Sequence, residues 1–243
     1  MASDRPAPDW LTRTHFAHRG LHSAGVPENS LAAAEAAIER GFGIECDIQR
    51  SRDDWPMVFH DWELDRLTQE QGLFEDRTAD ELETIALLAT NQTPVRLPDF
   101  LSAIAGRVPL LIEIKSQPGY DVEWTSLYVS RMLADYSGPV GVMSFDARVP
   151  EWFARHCPAT IRGLVGTDSF PNGFETVWRD RNSLDKAQPE FLAIDRRDLC
   201  RPEATEWRSQ GKPLLTWTVR TIEERHAAFP LADALIGEGE ALS

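Results

Sequence analysis

VPLLIEIKS, Val108–Ser116, is the stretch on which the fold turns. From Leu110 to Ile114 it is apolar at every position but one. A strand with one wet face would alternate apolar and polar, so a continuous run reads as a strand covered on both sides, as in a parallel sheet. The exception is Glu113, and Lys115 closes the run.

Seven other places repeat the pattern of an apolar run that ends in polar residues. They are HFAHRG (15–20), GIECDIQ (43–49) with PMVFHD (56–61), PVGVMSFD (139–146), IRGLVG (161–166), EFLAIDRRD (190–198), PLLTWTV (213–219) and ADALIGE (232–238). Helix-like stretches such as SLAAAEAAIERG (30–41), WTSLYVSRMLADYSG (124–138) and VPEWFARHC (149–157) lie between them. Asn29 or Ser30 can cap the first of these, and Gly41 can end it. Taking GIECDIQ and PMVFHD as one long strand broken by SRDDW gives eight β–α units. That number in 243 residues predicts a single TIM (β/α)₈ barrel over residues 1–243, with an open doubly wound sheet as the competing arrangement. Residues 62–98 interrupt the rhythm and read as a small insertion on the side of the strand ends, after which PDFLSAIAG resumes the barrel.

Composition excludes several classes. No apolar segment approaches the roughly 18 residues of a membrane span, and the N-terminus lacks a basic region followed by an apolar one. Three scattered cysteines form neither a disulfide framework nor a metal motif, so a reducing cytoplasm is the expected setting. With 39 acidic against 25 basic residues the net charge is −14, so nucleic acid is not the expected partner.

Period-two alternation locates the chemistry. If Ile44, Cys46 and Ile48 face the helices, Glu45 and Asp47 face the barrel axis, and the same parity sends Glu113 and Lys115 inward. Each motif alone is weak, because a lone E-x-D is commonly a surface pair. Three carboxylates converging at a barrel mouth are different: they cannot all stay ionised without a cation. A hard divalent ion on oxygen ligands, Mg²⁺ or Ca²⁺ with Mn²⁺ as a further candidate, fits Glu45, Asp47 and Glu113, while a structural network with Lys115 and Arg19 is the alternative. His18 and His60, at strand ends beside these carboxylates, are candidates for paired acid–base catalysis. Trp217 is either core or an aromatic wall of the pocket. His22 reads as a loop residue or a substrate contact.

In order along the chain, His18-Arg19-Gly20, Pro27-Glu28-Asn29-Ser30, Glu45-Cys46-Asp47, His60-Asp61, Glu113-Ile114-Lys115 and Trp217-Thr218-Val219 resemble the motifs of the glycerophosphodiester phosphodiesterase family. The resemblance runs from about residue 14 to 238. It implies a TIM-like barrel with one divalent cation on Glu45, Asp47 and Glu113, His18 and His60 as general acid and base, and Arg19 and Lys115 on the phosphate. It implies hydrolysis of a small-molecule glycerophosphodiester to an alcohol and sn-glycerol 3-phosphate. A monomer or homodimer is the separate expectation for assembly. A related activity on lysophospholipids and a non-catalytic metal-stabilised binding protein are the alternatives. Two positions depart from the family pattern: Gly237-Glu238 stands where Thr-Asp is usual, and Arg220 where Asn is usual.

Overall fold

The computed structural model describes residues 7–88, 90–169, 173–174 and 177–243; the first six residues, part of the N-terminal stretch read above, lie outside them. Ten strands are seen among the described residues: β1 Phe16–His18, β2 Gly43–Arg50, β3 Pro56–Val58, β4 Val95–Arg96, β5 Leu110–Ile114, β6 Val140–Ser144, β7 Ile161–Gly166, β8 Phe191–Asp195, β9 Leu214–Val219 and β10 Ala234–Gly237. Eight of them close a parallel ring in the order β1, β2, β5, β6, β7, β8, β9, β10, with β10 pairing back to β1. This is the (β/α)₈ barrel, and the open-sheet alternative falls.

The predicted parity holds. Ile44, Cys46, Ile48, Leu110, Ile112 and Ile114 pack outward against the helices Leu31–Glu39 and Leu97–Ile104 and their neighbours. Inside the ring, Phe16, Leu111, Phe191, Leu215 and Ile236 fill the lower half, with Leu11 of the short helix Trp10–Arg13 packed among them. Bulky apolar side chains therefore occupy the bottom of the barrel and leave the polar residues to its C-terminal mouth. Ser30 caps the helix Leu31–Glu39 by accepting from Ala33 N. Among the described residues no helix is long and apolar enough to cross a membrane.

One element differs from the sequence reading. GIECDIQ and PMVFHD are not halves of one strand; β3 folds back antiparallel on β2, pairing Ile48 with Val58 and Arg50 with Pro56. SRDDW is the reversing turn. Ser51 N donates to Trp55 O, Trp55 N to Ser51 Oγ, and Asp54 takes a left-handed φ of 67°. A polar interruption between two apolar runs looks the same in sequence whether the chain goes on or turns back. The reversal brings Phe59 N onto Asp47 O at 3.1 Å and so returns His60 to the mouth. The insertion that follows has its own small core of Phe59, Leu64, Phe74, Leu82 and Leu87, and it ends in β4, which pairs with β3.

Gly20 makes the turn out of β1 with φ 76°, and a Cβ there would stand 2.8 Å from Ala33 of the first barrel helix. Both the backbone conformation and the close approach require glycine. Gly20→Ala is expected to cost about 1–3 kcal/mol, read as a lower urea midpoint at unchanged m-value.

Candidate active site

Strand register places the carboxylates. Asp47 on β2 lies opposite Glu113 on β5, and His18 on β1 lies opposite Glu45 on β2. One oxygen from each of Glu45, Asp47 and Glu113 lies within 4.8 Å of the other two, and these residues are 1%, 1% and 8% exposed. Burial, with Asp47 and Glu113 close by, pushes the Glu45 carboxyl well above the usual carboxylate range. Burial acts the same way on Asp47, yet His60, Lys115 and Arg19 outweigh it and hold that group below its usual value. An oxygen-only set with this much unrelieved charge is what a hard divalent cation fits. The three residues could hold a metal ion.

Two cations share the cluster. Lys115 Nζ lies 2.8 Å from Glu113 Oε1 and 3.5 Å from Asp47 Oδ1; burial disfavours its charge, but Glu113 and Asp47 prevail and raise its pKa. Arg19 has a left-handed φ of 57°, and its backbone N donates to Glu45 Oε2 at 3.1 Å. Its guanidinium Nε lies 3.3 Å from Asp47 Oδ2, and Nη1 donates to Glu28 Oε1 at 2.6 Å. Asn29, also left-handed, does not cap the helix: Nδ2 donates to Asp47 Oδ2 and Oδ1 accepts from Asp47 N.

Each histidine is held through Nδ1. His18 Nδ1 meets Glu238 Oε1 at 2.5 Å, and its Nε2 lies 4.0 Å from Glu45 Oε2. Burial works against a charged Glu238, but the His18 bond, with His22 and Arg220 nearby, holds its carboxyl far below the usual range. A carboxylate that stays ionised can only accept, so Nδ1 of His18 carries the hydrogen and Nε2 is left toward the pocket. Burial also pushes the His18 imidazole below its ordinary value, with the Glu238 bond opposing. His60 Nδ1 lies 2.6 Å from Asp61 Oδ1 in the same way, and Asp61, despite some burial, is held below its usual range by His60 and Arg66.

All eight predicted site residues, His18, Arg19, Glu45, Asp47, His60, Glu113, Lys115 and Trp217, line one pocket of about 430 Å³. Trp217 is the wall rather than buried core: its Nε1 donates to Ala193 O and its ring meets Phe145 edge-on at 5.5 Å. His22 sits 3.8 Å from Glu238. Arg196 and Arg197 are turned to Glu224 and Asp195 and do not line this pocket. Sequence reasoning marked Glu238 only as a departure from the family pattern, without seeing that it holds His18. It overlooked Arg66 entirely, and no signal in the insertion could have singled out that arginine among its neighbours.

A (β/α)₈ barrel with carboxylates, cations and two histidines gathered at its C-terminal mouth has the architecture of an enzyme. The Glycerophosphoryl diester phosphodiesterase family matches residues 18–149, more than half of the chain, and the chain belongs to that family. YhdW of Bacillus subtilis is 28% identical over 217 residues, 84% of this chain and 85% of that protein. The glycerophosphodiester phosphodiesterase of Caldanaerobacter subterraneus is 43% identical over 71 residues, 29% of each chain. An Oleispira antarctica phosphodiesterase, solved in complex with the product sn-glycerol-3-phosphate, shares the fold with a TM-score of 0.80, 23% identity and 93% of each chain covered.

Two charge effects of opposite sign predict how stability follows pH. Burial disfavours the Glu28 charge, but Arg66 and Arg19 prevail and lower it from 4.5 to about 2, so the stability it contributes is complete above 4.5 and lost as pH falls toward about 2. Glu28→Gln should flatten that acid decline in urea midpoint. Glu45, raised above 4.5, instead costs the folded state more as pH rises past that value. Without metal at pH 7, Glu45→Gln is expected to melt higher than the wild type. With millimolar Mg²⁺ added, the wild type should gain in melting temperature and the variant should gain little.

Proposed function

We propose that the chain hydrolyses glycerophosphodiesters to sn-glycerol 3-phosphate and an alcohol, acting as one catalytic domain on a small molecule. The observation that carries this reading is the pair of histidines, each held at Nδ1 by an ionised carboxylate, in the same pocket as the Glu45–Asp47–Glu113 cluster. Glu45, Asp47 and Glu113 would hold one divalent cation, Mg²⁺ or Ca²⁺. When bound, that cation neutralises the cluster and polarises the phosphate and the neighbouring glycerol hydroxyl.

The protein's own residues supply the rest. Arg19 and Lys115 bind the phosphoryl oxygens, Arg19 through a planar fork and Lys115 as a point charge, and stabilise them as charge shifts in the transition state. His18, buried and kept neutral, accepts the proton of the glycerol hydroxyl at Nε2 as that hydroxyl attacks phosphorus. His60, the more exposed of the two, protonates the departing alcohol. Water then opens the cyclic phosphate with the proton roles reversed, leaving glycerol 3-phosphate. Trp217 and Phe145 form the wall that shields these transfers from bulk water.

Met143, Phe145, Val165 and Ile236 make part of the pocket apolar, which supports a second reading, action on lysophospholipids. Three free cysteines among the described residues support a cytoplasmic setting.

A panel of glycerophosphodiesters and their lyso counterparts, assayed for glycerol 3-phosphate or the lysophosphatidic product with Mg²⁺, Ca²⁺ or Mn²⁺, tests both. Turnover is expected with deacylated substrates and loss of it on chelation. His18→Ala and His60→Ala should each lower kcat by about 10²–10⁴. A double variant as active as the wild type would sink the mechanism, and faster turnover of the lyso substrates would move the conclusion to the second reading.

A further inference from the structure

Arg66 lies in the insertion, on none of the barrel strands. Its guanidinium nevertheless joins two carboxylates at the pocket mouth. Nε donates to Asp61 Oδ2 at 2.5 Å and Nη2 to Asp61 Oδ1 at 3.0 Å. Nη1 and Nη2 donate to the two oxygens of Glu28 at 2.9 and 2.7 Å. Both carboxylates have a second partner among the residues assigned to the reaction. Asp61 meets His60 Nδ1 at 2.6 Å, and Glu28 accepts from Arg19 Nη1 at 2.6 Å.

A half-exposed arginine on a surface carboxylate ordinarily contributes little. Here the two carboxylates are only 12% and 20% exposed, and each ends on a side chain that faces the substrate space. Two forks on one guanidinium also use a geometry that lysine cannot copy. We propose that Arg66 is a positioning residue: acting through Asp61 and Glu28, it fixes the orientation of His60 and Arg19 together, so that the insertion sets the geometry of the site. The inference rests on the reaction proposed above. Without Arg66 the Asp61 carboxylate can swing and His60 loses its preferred Nδ1–H tautomer, while Glu28 can draw Arg19 away from Asp47.

The test is Arg66→Ala assayed for glycerol 3-phosphate release alongside the wild type. The expected result is a kcat about 10–100-fold lower, with KM changed by less than about threefold. Added guanidinium ion should restore part of the lost rate, which a folding defect would not allow. Placed on Asp61→Asn, the same substitution should cost less than it does in the wild type, because only the Glu28 arm is then left to lose. Arg66→Lys keeps the charge and loses both forks, and its kcat should fall to within about threefold of that of Arg66→Ala. Histidine-selective ¹⁵N NMR of the neutral imidazole, the form that accepts a proton in the second step, should show His60 as the Nδ1–H tautomer in the wild type and as a mixture in Arg66→Ala. Wild-type kcat in both Arg66 variants, an undiminished loss in the Asp61→Asn background, or an unchanged His60 tautomer would overturn the proposal. A wild type that cleaves no phosphodiester would instead defeat the proposed reaction, and the NMR comparison would still decide the role of Arg66.

Discussion

Repulsion among Glu45, Asp47 and Glu113 is the constraint to which the rest of the mouth answers. Three carboxylates so close and so dry cannot share full ionisation unless positive charge stands beside them. The fold meets this from several directions. Lys115 stands two residues after Glu113, just past the end of β5, and Arg19 leaves β1 in a left-handed turn that aims its side chain at Asp47. Asn29 adds a hydrogen bond that satisfies an Asp47 oxygen without adding charge. Asp47 is thereby kept anionic while Glu45 carries the strain, so the imbalance is concentrated on one carboxyl.

A second layer of charge surrounds the first and alternates in sign. Around His18 it runs to Glu238 and then Arg220, whose Nε lies 3.0 Å from Glu238. Around His60 it runs to Asp61, then Arg66, then Glu28 and back to Arg19. Arg220 and Glu238 are thus a matched pair: Glu238 reaches His18, and the arginine beside it steadies that arm.

Much of the barrel was legible because burial on both faces leaves a plain mark in sequence: uninterrupted apolar runs broken only at the mouth. Parity then assigned Glu45, Asp47 and Glu113 to one edge, since a strand's alternation depends on backbone geometry alone. What depended on chain direction was not legible. The SRDDW turn and the reversal of β3 could not be told from a broken strand, because hairpin pairing is a contact between segments. Arg66 was hidden for the same reason. It is one arginine in a segment without periodicity, and its partners Glu28 and Asp61 are brought to it by packing of the insertion core around Phe59 and Phe74. Trp217 could be weighed but not settled, since an aromatic late in a strand suits a core and a pocket equally.

The pairing of β3 with β4 sets Met57 beside Arg96 and Val58 beside Val95, so the insertion leaves and re-enters the barrel through a single seam. A segment stitched at its base in this way behaves as a cassette. Its length and surface can vary without disturbing the ring register that aligns Asp47 with Glu113, since the loop-closure entropy grows slowly with length once the ends are joined. The barrel thus keeps its carboxylates fixed by ring register, while the insertion meets the mouth separately, through Arg66 on Asp61 and Glu28.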